Sequence, residues 1–164
     1  MSTPSVIREP AHRVSERAVA YWRLTALAGS VVLWVLLVVG YVLLDGPAWW
    51  VAVLVVVVVA VDAAYIVAMP RVRYRVHRWE VTPTAVHTRS GWLTTEERIA
   101  PLSRVQTVDS AQGPLMRPFG LMSITVTTAS AAGPITIGCL DVATARAVVA
   151  ELTEITGRSA GDAT

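Results

Sequence analysis

Two long apolar stretches separated by a three-residue turn constrain this chain more than any other feature of its sequence. Residues 24–44 form 21 positions without a charge, and residues 48–69 form 22 positions with one charge, Asp62. A hydrocarbon core about 30 Å thick needs roughly 20 helical residues, and a helix satisfies its backbone hydrogen bonds internally. The pattern predicts a transmembrane helical hairpin at 24–69 that turns at residues 45–47. Two buried helices of a soluble domain are disfavoured, because such helices rarely lack a polar face over six turns.

The placement of the arginines indicates which way this hairpin faces. Four arginines precede the first apolar stretch, four lie within ten residues after the second, and the turn carries none. Those on the N-terminal side are Arg8, Arg13, Arg17 and Arg23, and those on the C-terminal side are Arg71, Arg73, Arg75 and Arg78. By the positive-inside bias both termini are cytoplasmic. We therefore expect a multi-pass protein of the cell (plasma) membrane, with residues 1–23 as a cytoplasmic N-terminal tail.

Asp62 is the one charged side chain within the apolar stretches. It lies seven residues before Met69, about 10 Å inside the cytoplasmic edge at 1.5 Å per residue. Intramembrane acids are costly and are usually paired or functional. Ser30 lies at a similar depth on the first helix, so Ser30 and Asp62 are candidates for an intramembrane polar contact. Three roles stay open: a neutral or snorkelling Asp62 that holds the two helices together, a contact with a partner, or part of a proton or ion path.

Small residues suggest how the two helices divide their faces. Ala60, Ala64 and Ala68 follow the small-xxx-small spacing that permits close helix approach, and Asp62 falls roughly opposite them on a helix. We expect the alanine ridge to meet the first helix, near Gly29. The face that carries Asp62 would then be left for lipid or for a further protein chain.

After the hairpin, the sequence changes to short runs rich in valine, threonine and isoleucine between turn residues, which is typical of an antiparallel β module. We assign a single cytoplasmic domain to residues 71–158. The predicted strands are 74–81, 85–89, 92–100, 104–110, 121–128 and 135–139, with a hairpin turn at Ser90-Gly91 and a single helical turn within 113–120. The apolar residues of that helical turn, Leu115, Met116 and Phe119, are expected to plug one end of the sheet or to dip into lipid.

A helix is predicted to close the domain. Asp141 is a plausible N-cap and Gly157 a plausible stop, and the apolar positions between them recur at helical spacing. They are Ala145, Val148, Val149, Leu152 and Ile155. This face must cover the open end or edge of the sheet. Residues 159–164 are expected to form a disordered tail.

Six or seven short strands closed by a helix follow the plan of a pleckstrin-homology (PH) barrel or roll. The segment 91–130 resembles the bacterial PH-like domain of YdbS-like membrane proteins. The residues that carry the likeness are Ile99, Pro101, Leu102, Arg104, Val105 and Gln106, followed by Gly113, Pro114, Leu115, Arg117, Phe119, Gly120 and Leu121. Two apolar helices before this domain match the layout of the family. The resemblance implies an α+β membrane protein with a PH-like fold, and it does not imply an enzyme.

Catalytic and cofactor motifs are missing from the sequence. His12, His77 and His87 lack close metal-ligand spacing, although His77 and His87 fall on neighbouring predicted strands. Cys139 is placed inward on a strand, where a thiol is usually inert packing. The domain carries ten arginines against seven acids, which falls short of a nucleic-acid-binding stripe. We expect no enzymatic activity, no cofactor, no metal and no nucleic-acid partner.

Two hypotheses of function follow. The first is a scaffold, in which the hairpin holds a PH-like interaction or assembly module at the cytoplasmic face for other membrane proteins, including related PH-like subunits or a second copy of this chain. The second is an anionic-lipid sensor that uses Arg71, Arg73, Arg75 and Arg78 beside the bilayer, where each arginine contributes about 1 kcal/mol. Arg71, Arg73 and Arg75 share one side if the first strand begins early. An accessory subunit of an envelope export or stress-resistance system is a weaker third hypothesis.

Overall fold

Two long apolar helices lead into the rest of the molecule. The computed structural model describes residues 9–43, 48–130 and 133–161, with residues 158–161 as backbone only; the predicted turn at 45–47 lies outside them. Helix α1 spans Arg17–Leu43 and α2 spans Trp49–Val76, with 27 and 28 residues. Both are long and apolar enough to cross a membrane, and few of their most apolar residues are buried.

Both helices extend beyond the apolar stretches on the side of the domain. Helix α1 begins at Arg17 and α2 ends at Val76, about two turns past the predicted limits at residues 24 and 69. Charge ends the apolar run without ending the helix, because arginine is a good helix former. Pro70 lies inside α2, and the Arg71 guanidinium donates a hydrogen bond to the Val67 carbonyl at 2.9 Å.

The segment before α1 is part of the folded domain, which differs from the separate tail expected for residues 1–23. His12–Arg13 forms a short strand, β1, that pairs antiparallel with β2. The Ser15 amide donates to the Cys139 carbonyl at 3.0 Å, and the Ser15 hydroxyl donates to Asp141 Oδ1 at 2.9 Å. The described N-terminal residues therefore bind both the beginning and the end of the sheet region.

The remaining strands form two antiparallel sheets. The order is β1-β2-β3-β4 in one sheet and β5-β6-β7 in the other. The strands are β2 Arg78–Val81, β3 Ala85–Gly91, β4 Thr95–Pro101, β5 Val105–Ala111, β6 Leu121–Thr128 and β7 Ile135–Asp141. The sheets do not join into a closed barrel in the part of the chain that the structure describes. Seven strands, an open PH-like roll and a C-terminal helix confirm the predicted fold class.

The largest differences from the predicted strands lie at the start of β2 and at the β3–β4 turn, and they have local causes. The predicted first strand, 74–81, begins only at Arg78, because α2 continues through Val76. The predicted turn at Ser90-Gly91 is displaced, since β3 runs through Gly91 and the turn occupies residues 92–94. Gly91 has φ +128°, a conformation that requires glycine.

The C-terminal helix α3, Val142–Gly161, covers the roll. Ala145, Val148 and Leu152 are buried, and Val149 and Ile155 pack partly buried against the core, which confirms the predicted apolar face. The helix continues past the predicted stop at Gly157. The backbone of residues 159–161 is helical rather than a disordered tail, and residues 162–164 lie outside the described part of the chain.

Candidate functional site at the junction of the hairpin and the domain

The junction between the hairpin and the domain is built around Trp22 of α1. Trp22 is 3% exposed, and the Arg73 guanidinium carbon lies 4.6 Å from its ring centroid. The His77 ring lies 5.1 Å from the Trp22 ring. A cation over an aromatic face is attracted by the ring quadrupole, more strongly where water is excluded. The stack joins α1, α2 and the residue that leads into β2.

The hydrogen bonds of His77 fix its protonation state. Nδ1 lies 2.9 Å from the Arg73 carbonyl oxygen, which can only accept, so Nδ1 carries the proton. Arg73 Nε donates to Nε2 at 3.4 Å, so Nε2 is the acceptor. Burial first, and then the positive charge of Arg73, lowers the pKa of His77 to about 4, against the opposing effect of its backbone hydrogen bond. The neutral imidazole is therefore part of the junction.

The four arginines proposed as a membrane-facing group divide into two pairs. Arg73 is committed to the stack on Trp22. The Arg78 side chain is 24% exposed and forms an ion pair with Glu9 at 3.8 Å, and it donates to the Pro10 carbonyl at 3.4 Å. The side chains of Arg73 and Arg78 therefore make their contacts with other residues of the protein.

Arg71 and Arg75 form the exposed pair. The prediction that Arg71, Arg73 and Arg75 share one strand face is wrong, because all three lie on α2. On a helix, residues i and i+4 are neighbours, whereas residue i+2 points away. This geometry leaves Arg71 and Arg75 on one side and turns Arg73 inward.

Ser30 and Asp62 are in contact within the hairpin. The Ser30 hydroxyl donates to Asp62 Oδ1 at 2.9 Å, and Ser30 is only 4% exposed. The second carboxylate oxygen, Oδ2, is buried without a hydrogen-bond partner among the described residues. Asp62 therefore faces α1.

The faces of α2 are the reverse of those expected from the alanine ridge. Ala60, Ala64 and Ala68 are exposed, whereas Asp62 contacts α1. An exposed acid in hydrocarbon costs much more than exposed alanines, so the polar face turns inward. The prediction that the ridge meets the first helix is wrong, because the side of α2 that carries Asp62 contacts that helix.

The structure does not bring His12, His87 and Cys139 together into one site. His12 packs on Trp79 with ring centroids 4.9 Å apart, and His87 lies in β3 opposite Glu80 and Ile99. Among residues 9–43, 48–130 and 133–161 there is no cluster of three His, Cys, Asp or Glu that could hold a metal ion. Cys139 is buried, and desolvation raises the pKa of its thiol.

Two features of the molecule escaped the sequence analysis. One is a groove of about 330 Å³ where the two sheets separate, lined by β4, by the turn after it and by the β6–β7 side. Its apolar lining includes Ile99, Pro101 and Ile135, and its charged lining includes Glu97 and Arg104. The other is a ring contact between Tyr65 of α2 and Trp92 of the β3–β4 turn. No local pattern in the sequence indicates either feature, because each one joins segments that are distant along the chain.

An apolar helix pair fused to a seven-stranded open roll defines a membrane protein that carries a PH-like domain. Residues 23–156 match the model of the family described as Bacterial PH domain, and the chain belongs to that family. The match covers most of α1, all of α2 and the strands β2 to β7.

The chain is also similar to the UPF0699 transmembrane protein YdbS of Bacillus subtilis (strain 168). The two are 30% identical over 125 residues, which is 74% of this chain and 79% of that protein. No solved structure gives a significant match. The family match and this relative confirm the resemblance to YdbS-like membrane proteins, and they support localisation in a membrane.

Proposed function

We propose that the protein is a non-enzymatic membrane scaffold that crosses the bilayer twice and presents its PH-like domain at the cytoplasmic face to a protein partner. The arginines that flank the apolar stretches support this orientation of both termini. The partner is another membrane protein, with related PH-like subunits and a second copy of this chain as the first candidates.

The observation that carries this proposal is the groove beside β4. Strand β4 is the last strand in the order of its sheet, and Arg98 of β4 donates a hydrogen bond to the Pro134 carbonyl at 3.1 Å. Ile99 of β4 is 54% exposed and lines the groove together with Pro101 and Arg104. An edge strand beside an apolar groove suits an extended segment of a partner, which can pair with the edge and place side chains in the groove.

The stack on Trp22 supports a scaffold for a second reason. It fixes the base of the domain to α1 and α2 through buried contacts. A domain held in this way presents its groove at a fixed position relative to the hairpin. A fixed position reduces the entropy that binding would otherwise cost.

Affinity capture of the full chain from detergent extract tests the proposal. A stoichiometric partner should be recovered with the natural sequence and lost with Ile99→Asp, which places a charge in the groove. Thr153→Asp, at an exposed position on α3, is the matched control and should retain the partner. Equal recovery with Ile99→Asp and the natural sequence would contradict the proposal.

A second candidate function, recognition of anionic lipid, is favoured by the exposed pair Arg71 and Arg75 at the junction. The test requires the full chain, because the domain core includes Val14, Ala18 and Trp22 from outside residues 71–158. In nanodiscs of mixed lipid, anionic spin-labelled lipid should be enriched around the natural protein. The double variant Arg71→Gln/Arg75→Gln should lose this enrichment, whereas Arg146→Gln on α3 should keep it.

A further inference from the structure

The chain reversal between β3 and β4, formed by Gly91 at the end of β3 and by the turn residues 92–94, lies against the side of α2. Trp92 meets Tyr65 edge to face, with ring centroids 5.4 Å apart and planes at 74°. The next residue, Leu93, is 80% exposed, more than any other large apolar side chain described. The segment between Arg89 and Glu96 contains no charge. An exposed leucine beside a tryptophan on a chain reversal is suited to contact with an apolar surface.

The position of Tyr65 along α2 indicates what that surface is. Tyr65 follows Trp49, the first residue of α2, by 16 residues, or about 24 Å at 1.5 Å per residue. A hydrocarbon core is about 30 Å thick. If Trp49 marks the edge of the core away from the domain, Tyr65 lies inside the core, short of the edge that adjoins the domain. The first arginine on this side, Arg71, comes six residues later. The contact between the Trp92 and Tyr65 rings thus places the turn at a depth where α2 is still inside the hydrocarbon core.

The geometry of the turn is set by the backbone rather than by this contact alone. Gly91 pairs with Thr95 in the β3–β4 register and has φ +128°. A Cβ at this position would lie 1.8 Å from the Thr94 carbonyl oxygen. Only glycine permits the tight reversal, so Trp92 and Leu93 are held together at its outer end.

We propose that residues 91–94 insert into the leaflet that adjoins the domain, and that this lipid contact is a second attachment of the domain to the bilayer. Trp92 lies near the boundary between the hydrocarbon core and the headgroups, where amphipathic rings are favoured, and Leu93 reaches the acyl chains. Continuity with the membrane-spanning face of α2 selects lipid over a protein partner. This inference concerns how the domain is oriented and does not rest on the proposed binding of a partner in the groove.

Depth-dependent fluorescence quenching of the full chain in nanodiscs tests the insertion. An environment-insensitive fluorophore is attached to Leu93→Cys, and in a second variant to Thr94→Cys in the same turn. The matched control is Thr84→Cys, an exposed position in the β2–β3 turn. That turn lies at the other end of β3, about 20 Å away for a seven-residue strand. The native thiol, Cys139, is buried, and its failure to label under native conditions shows that each variant is folded.

The proposal expects the fluorophore at residues 93 and 94 to be quenched by brominated phospholipid several-fold more strongly than at residue 84. Aqueous iodide should show the opposite order. Equal iodide quenching at all three positions, without quenching by brominated lipid at residue 93 or 94, would overturn it. The same result would follow if the turn served a protein partner, because the nanodiscs contain only this chain and lipid.

Discussion

The guanidinium carbon of Arg73 lies 4.6 Å from the ring centroid of Trp22, and this contact joins the two apolar helices at the point where they enter the domain. Helix α1 contributes the ring and α2 the cation. His77 completes the arrangement from the residue after α2, with its ring 5.1 Å from that of Trp22. The hairpin and the PH-like roll therefore share one core, in which Trp22 and Met69 pack with residues of both sheets.

Replacing Trp22 by alanine should destabilise the domain. Loss of a buried aromatic side chain costs about 3–5 kcal/mol, and Trp22 is 3% exposed. Cys139 is the single cysteine of the chain and is buried, so its rate of maleimide labelling in mild denaturant measures the opening of the domain. Labelling should accelerate strongly in Trp22→Ala. Trp50→Ala, which removes a ring that is 58% exposed, is the control and should label like the natural protein.

Stability should rise with pH between about 4 and 6.5 because of His77. The pKa of His77 is lowered to about 4 in the folded protein, whereas an unfolded histidine titrates near 6.5. Within that window the unfolded chain binds more protons, so the contribution of His77 is complete above about 6.5 and is lost as the pH falls toward 4. Thermal unfolding in detergent at a series of pH values measures it.

Carboxylates also titrate below pH 5 and change the stability there. The control therefore compares the pH dependence of stability between two histidine variants. His77→Gln should flatten the rise between pH 5 and 6.5, and His12→Gln, at an exposed ring, should leave it unchanged. A rise of the same size in His77→Gln would show that another group is responsible.

The sequence predicts those parts of the molecule that depend on local pattern. The two apolar stretches predict the hairpin, and the spacing of apolar residues in α3 predicts its buried face. The apolar length is sufficient for the hairpin, and the period of the apolar residues is sufficient for α3, because one face of that helix meets the core.

The sequence did not predict the features that depend on contacts between distant segments. The inward turn of Arg73 depends on the continuation of α2 through Pro70, which a proline ordinarily disfavours. The pairing of His12–Arg13 with β2 joins residues more than sixty positions apart. Neither of these leaves a periodic signal in the sequence. The contact between Ser30 and Asp62 is different, because their similar depth predicted it and the structure places the two side chains 2.9 Å apart.

The hydrogen bond between Ser30 and Asp62 should give a small but measurable coupling within the hairpin. Interhelical hydrogen bonds in membranes contribute about 0.6 kcal/mol on average. Unfolding of Ser30→Ala, Asp62→Ala and the double variant should therefore be non-additive by about this amount. The exposed alanines supply the control, because Ser30→Ala combined with Ala64→Val should be additive. Full additivity of the Ser30 and Asp62 changes would contradict a direct interaction.

Substitution of Gly91 by alanine should disrupt the β3–β4 turn. The added Cβ would lie 1.8 Å from the Thr94 carbonyl oxygen at φ +128°, so the backbone must move, at a cost of about 1–3 kcal/mol for a residue forced into a glycine-only region. We expect a lower unfolding temperature and faster labelling of Cys139. Gly113→Ala is the matched control, because a Cβ there would meet nothing within 4 Å and its φ lies outside the glycine-favouring range. If both variants unfolded like the natural protein, the tight reversal at residues 91–94 would not be the conformation of the turn.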